Sequence, residues 1–144
     1  MARCLGLDYG TRRVGVALSD ELGLLALPLE VWPAGESAEV VRKVTQLCCE
    51  RQVGTIVVGL PLNMDGSRGP AAEAAERFAE ALRQAGDRPV VLWDERLSSR
   101  QVERMLVDAD VSRRRRRQVT DKLAAQLILQ SYLDAHADPI APPE

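Results

Sequence analysis

Cys4-Leu5-Gly6-Leu7-Asp8-Tyr9-Gly10-Thr11-Arg12-Arg13-Val14-Gly15-Val16-Ala17-Leu18-Ser19 is the stretch that decides how this 144-residue chain folds. Cys4 to Tyr9 is apolar until its end. Arg13 to Ser19 alternates Val14, Val16 and Leu18 on one face with the small Gly15 and Ala17 on the other. A period of two reads as strand. The link around Gly10 to Arg12 is too short for a helical crossover, so the two strands run antiparallel. After a second short link at Asp20 to Gly23, Leu25, Leu27, Leu29 and Val31 alternate again and complete a meander of three. Pro28 has no N–H to give to a ladder, which places the third strand at a sheet edge.

From Trp32 onward helix alternates with strand. Val40, Val41, Val44, Leu47 and Cys48 recur at helical spacing and stop before Gly54. Thr55 to Gly59 is a short apolar strand, and a helix with Pro70 in its first turn runs through Ala85 to a Gly86 stop. Pro89 to Trp93 is a further buried strand. Ser98 with Gln101 fits a capping box that opens a helix to about Val107. A last helix runs from Arg113 to about Ala135. Crossovers of this length make the later strands parallel, so the expected class is α/β with a mixed five-stranded sheet. We expect a single domain over residues 1–135 and a disordered tail over 136–144, which holds Pro139, Pro142, Pro143 and the single histidine, His136.

The chain carries 19 Lys and Arg against 21 Asp and Glu, a net charge of -2 that gives no whole-chain reason to expect a polyanion partner. Position changes that reading. Residues 1–87 hold 9 basic and 12 acidic side chains, 88–122 hold 10 and 6, and 123–144 hold 0 and 3. The positive charge is gathered in one segment, and 17 of the 19 cations are Arg, which forks onto phosphate or carboxylate. Cys4, Cys48 and Cys49 have no metal-site spacing and read as small apolar fillers in a reducing compartment. Met1-Ala2-Arg3 leads straight into the first strand, and no run approaches the ~18 apolar residues of a membrane span. We therefore expect a cytoplasmic protein with no membrane partner.

Three carboxylates stand out. Asp8 closes an apolar strand at its carboxyl end, the edge where open sheets place ligands; an Asx turn before Gly10 would use the same residue. Asp94 and Glu95 end a second parallel strand at the same edge, and since neighbours point to opposite faces only one of them can join Asp8. Asp121 has Ala124, Ala125 and Ile128 as its helical neighbours, which puts a carboxylate on an apolar face. It needs a partner there, either an Arg such as Arg13 or Arg96, or a metal. Acids converging at one edge repel unless a hard divalent cation joins them, and two such ions make the clamp used for in-line phosphodiester cleavage. No Cys or His cluster competes.

These residues fall in an order that resembles a known family. The opening run through Asp20, then Val58-Gly59-Leu60-Pro61-Leu62-Asn63-Met64-Asp65-Gly66-Ser67, Asp94-Glu95-Arg96-Leu97-Ser98-Ser99 and Asp121-Lys122-Leu123-Ala124-Ala125-Gln126-Leu127-Ile128-Leu129-Gln130 resemble the motifs of the YqgF (RuvX) group of Holliday-junction-resolvase-like nucleases. The resemblance spans nearly the whole chain. It implies a ribonuclease-H-like fold with strand order 3-2-1-4-5. It also implies a cytoplasmic endonuclease that matures the 5′ end of 16S ribosomal RNA. By motif position Asp8, Glu95 and Asp121 are the catalytic metal ligands, and Glu95 is selected over Asp94. One or two Mg2+ or Mn2+ ions are implied, with precursor rRNA as partner, branched DNA as the alternative, and association with ribosomes. Junction resolvases carry a second acid three residues after the helix Asp; here Ala124 stands there, as elsewhere in the YqgF group.

Backbone contacts suit the remaining residues better than base reading. Arg12, Arg13, Asn63, Arg68, Arg96 and the run Arg113, Arg114, Arg115, Arg116, Arg117 are the expected nucleic-acid contacts. Aromatics are 3% of the chain, too few for a stacking platform, and Tyr9 reads as ordinary packing. Two rivals stay open at this point. Asp8-Tyr9-Gly10-Thr11 also resembles the phosphate turn of actin-like and sugar-kinase phosphotransferases, which need two lobes where 144 residues supply one. A non-catalytic nucleic-acid-binding assembly factor would use the Arg run without metal. On any of these readings the chain is expected to be a monomer or a homodimer.

Overall fold

The computed structural model describes residues 2–96 and 113–136, the side chains of 113–122 excepted. The described elements are β1 (Arg3–Tyr9), β2 (Arg13–Ser19), β3 (Ala26–Pro33), α1 (Ser37–Arg51), β4 (Val53–Leu60), α2 (Pro70–Ala85), β5 (Val90–Asp94) and α3 (Arg113–His136). The helix expected from Ser98 to Val107 and the tail beyond His136 lie outside the described residues. One five-stranded sheet runs in the order β3-β2-β1-β4-β5. β1 pairs antiparallel with β2 and parallel with β4, and β5 extends the parallel half. This is the mixed sheet expected from the short links and long crossovers.

Alternation in β1 splits the core in two. Leu5 and Leu7, both fully buried, point toward α1 and α2 and pack with Val14, Val16, Val44, Val58 and Phe78. Each such side chain withdrawn from water contributes about 1.5–3 kcal/mol. Cys4 and Gly6 point the other way, toward α3, where Ala125, Ile128, Leu129 and Leu133 meet Ala17, Ala26 and Val57. Gly6 sets the depth of that helix. A Cβ built on it would stand 2.6 Å from the Leu129 Cβ and 3.1 Å from the Ala125 carbonyl oxygen. Tyr132 lies within electrostatic reach of Cys4, and Ala125 sits over Gly6, so α3 runs counter to β1 and its earlier turns reach toward the end of the strand.

Helix ends follow local chemistry. α1 ends before Gly54, as expected; its cap is Gln52, which takes the left-handed conformation, with φ 56°, and whose N–H reaches the Cys48 carbonyl. α2 begins on Pro70 and ends at Gly86, as expected. His136 belongs to the last turn of α3, not to a tail: its Nδ1 lies 2.9 Å from the Tyr132 carbonyl and its ring stacks on Tyr132.

The apolar alternation in β3 does not produce a buried face. Leu25, Leu27 and Val31 are 59%, 55% and 44% exposed, whereas Ala26 is buried. Two causes are visible. The β2–β3 register shifts between Val16 and Ala17, and β3 is the outermost strand: Ala26 meets α3, while Leu27, paired with Leu18, faces the opposite layer at its margin and stays uncovered.

Candidate active site at the carboxyl edge of the sheet

Asp8 is the penultimate residue of β1 and pairs with Gly15 across the β1–β2 ladder. It shares the face of Gly6, two residues earlier, and therefore the α3 side of the sheet. Beyond it the chain turns tightly, with the Gly10 N–H donating to the Arg13 carbonyl at 2.9 Å. Asp8, Gly10, Thr11, Arg12, Arg13 and Gly15 line a cavity of about 280 Å³. Thr11, Arg12 and Arg13 are exposed at its rim.

Asp94 and Glu95 part company at the end of β5. Trp93 belongs to the α3-side cluster, and Glu95, two residues on, follows it to that side. The Glu95 carboxylate lies over Gly59 of β4: a Cβ on Gly59 would come 2.5 Å from Glu95 Oε2 and 2.5 Å from Ile128 Cδ1. A side chain on this strand residue would displace the acid. Burial pushes the Glu95 carboxyl up to about 7, with the charges of Asp8 and then Asp94 adding to the rise. Asp94 takes the opposite role. It accepts from Arg96 Nε at 3.1 and 3.0 Å and from Nη2 at 2.7 Å, and its Oδ1 also takes the Arg96 N–H at 3.0 Å. Those bonds hold its carboxyl below the usual range.

Asp121 lies on α3, seven residues before the Ile128 that touches the Gly59 position; its side chain falls outside the described residues, as do those of Arg113 to Arg117. Among the described residues there is no group of three His, Cys, Asp or Glu side chains placed to hold a metal. The pair that is described suits a hard cation. Glu95 is raised by its own burial and by Asp8, and an oxygen-binding divalent ion between them would relieve both costs.

The expected backbone contacts divide. Arg12 and Arg13 stand at the cavity. Arg96 is engaged with Asp94, and Arg68 pairs with Glu76 at 2.9 Å. Asn63 works inside its own loop, donating to Ser67 Oγ at 2.9 Å, while Asp65 accepts from the Ser67 backbone and hydroxyl. The loop is built by its own polar side chains. Tyr9 stacks on Phe78 at 4.1 Å and 10°, which accounts for it as packing. Gly59 is the functional position the sequence reading passed over. A glycine inside an otherwise apolar strand signals a close approach, and here the approaching group is the Glu95 carboxylate.

With this geometry in hand, comparison with known proteins is decisive at the family level. The model of the RuvX family, described as Holliday junction resolvase, matches residues 2–135. The chain belongs to the RuvX family. Its RuvX relatives include a protein of Geobacillus kaustophilus, 56% identical over 135 residues, which cover 92% of this chain and 98% of that one. Another, from Bacillus cytotoxicus, is 52% identical with the same coverage. Both bear the name "Putative pre-16S rRNA nuclease". Among solved structures, the RuvC of T. thermophilus in complex with a Holliday junction substrate superimposes with a TM-score of 0.55 at 13% identity, covering 95% of this chain and 97% of that one. The yeast mitochondrial Holliday junction resolvase Ydc2 gives 0.52 at 10% identity, covering 92% and 79%. At such identities these two establish the fold, that of the resolvases. Family and relatives together make this RuvX chain a nuclease, a hydrolase of phosphodiester bonds.

Proposed function

We propose that the chain is a divalent-metal-dependent endonuclease that processes the 5′ end of precursor 16S rRNA. The observation that carries the reading is the Glu95 carboxylate, seated over Gly59 and raised by burial and then by Asp8, at the same sheet edge as a cavity rimmed by arginines. Asp8 and Glu95 are the first ligands. Asp121 completes the set, because its place on α3 lies two turns before the residue that shares the Gly59 position with Glu95. When bound, Mg2+ or Mn2+ supplies Lewis-acid polarisation of the phosphate and a nucleophile at neutral pH. The chain's own side chains do the rest. Arg12 and Arg13 neutralise a substrate phosphate at the cavity mouth, and Arg113 to Arg117 hold the flanking backbone. The relatives' names support rRNA over branched DNA, and Ala124 in place of a fourth acid agrees.

The same reading places the protein in the cytoplasm, transiently on assembling ribosomes. No helix among the described residues is long and apolar enough to cross a membrane. Asp8→Asn tests the chemistry. It should reduce cleavage of precursor 16S RNA at least about a hundredfold, the upper range for losing a mere support of a metal ligand, while metal-free RNA binding is kept. Undiminished cleavage by the metal-replete variant would refute the proposal, and preference for four-way DNA junctions over precursor RNA would replace its substrate.

A further inference from the structure

Position 121 sits on a helix whose other end is fastened by side-chain amides rather than by packing alone. Gln130 Oε1 accepts the Ala26 N–H at 2.8 Å, and Gln126 Nε2 donates to the Ala26 carbonyl at 3.0 Å. Gln130 Nε2 also donates to the Leu24 carbonyl at 2.9 Å, and Asp134 Oδ1 accepts from the same amide at 2.9 Å. Ala26 opens the outermost strand, so the two glutamines satisfy backbone groups that no neighbouring strand pairs. Their target is itself ordered. Asp20 Oδ1 accepts the Leu24 and Leu25 N–H groups at 2.8 and 3.3 Å and fixes the link that presents the Leu24 carbonyl.

We propose that Gln126 and Gln130 are positioning residues for Asp121, setting the rotation of α3 about its axis. The sheet face under the helix joins Gly6, Gly59, Ala17 and Ala26 to Val57, which allows close approach; on the β5 side the Trp93 indole N–H donates to Ser131 Oγ at 3.0 Å, and the two glutamines are the corresponding anchors on the β3 side. Hydrogen bonds are directional, and those of the glutamines lie on the β3 flank of the helix. Seven residues at about 100° each bring position 121 back to within about 20° of Ile128, the residue over Gly59. Rotation that lifts Ile128 from Gly59 therefore swings position 121 away from Glu95. The inference rests on the active-site reading above, and it deepens that reading by naming what holds the third ligand.

The test uses the full chain with Gln126→Met and Gln130→Met, singly and together, and Gln130→Glu, which keeps an acceptor for Ala26 and loses the donor to Leu24. Val44→Ala, a cavity in the opposite core, is the control for lost stability. Two readouts are taken: kcat and KM on precursor 16S RNA, and Mn2+ affinity of the RNA-free protein by calorimetry. The Met pair should lower kcat about tenfold or more and weaken Mn2+ binding by a similar factor, with KM within about twofold. Gln130→Glu should fall between it and the wild type. Val44→Ala should lower the thermal midpoint and leave both readouts alone. Wild-type kcat and Mn2+ affinity in the folded Met pair would overturn the inference, and if the pair does not fold, the single variants decide on the same readouts. Asp121→Asn separates the two levels. Full cleavage and Mn2+ binding in that variant defeat the active-site reading itself. Their loss there, with both intact in the glutamine variants, defeats only the positioning role.

Discussion

Replacing Glu95 by Gln should stabilise the metal-free protein at alkaline pH while abolishing its cleavage. Glu95 is held over Gly59, and burial together with Asp8 and Asp94 raises its carboxyl from 4.5 to about 7. A carboxyl raised in the folded state favours the proton there. Its contribution to stability is fully present below 4.5 and is lost as pH climbs through 7. At about 1.4 kcal/mol per pH unit, the whole rise costs the folded state at most about 3.5 kcal/mol at pH 8, and partial solvent access brings the expected figure to about 1.5–2.5. For a chain of this size that is a gain of about 4–8 °C in thermal midpoint for Glu95→Gln. The assay is thermal unfolding with chelator present, at about pH 8 and about pH 4, the lower value lying beneath the carboxyl's ordinary range. The advantage of Gln should appear at the higher pH and vanish at the lower. Adding Mn2+ should reverse the order, since only the wild type gains stability by binding. Equal midpoints at pH 8 without metal would refute the reasoning, for Glu95 would then cost nothing where it sits.

Three further outcomes follow from the same geometry. Gly59→Ala puts a Cβ 2.5 Å from both Glu95 Oε2 and Ile128 Cδ1, so it should cost about 1–3 kcal/mol in urea unfolding and depress cleavage by displacing the acid. Arg12→Ala and Arg13→Ala should each weaken RNA binding across sequences and flatten the log affinity against log salt slope by about 0.7–0.9, measured by fluorescence anisotropy. Arg96→Met strips Asp94 of its partner, which should move the Asp94 carboxyl back up toward its ordinary range, a change that carbon-detected NMR titration reads directly.

How much of this was legible in the sequence depends on whether a residue's role is set by its neighbours along the chain or across it. The strand directions followed from loop lengths: two links too short for a crossover fix an antiparallel meander, and two helical segments fix the parallel half, while the order that sets β4 beside β1 came with the family resemblance. Asp8 was legible for the same reason, since a strand end is a local fact. Whether Asp94 or Glu95 joins it was legible only through the motif resemblance, not from spacing. Spacing says that they diverge, but which face matters is decided by α3, which meets the sheet through Gly6 and Gly59 from a distance of some seventy residues or more along the chain. The engagement of Arg96, Arg68 and Asn63 was hidden for a related reason. Each carries a side chain suited to phosphate, and each folds back on Asp94, Glu76 or Ser67, partners that composition cannot choose. β3 shows the opposite failure. Its apolar period of two is as regular as that of β2, yet burial needs a covering layer, and at this outermost strand α3 covers Ala26 on one face while Leu27 on the other stays exposed. The glutamines that make that contact look like ordinary polar helix positions in the sequence. They acquire meaning when Ala26 is seen to open an edge strand whose outward N–H and carbonyl would otherwise have no protein partner.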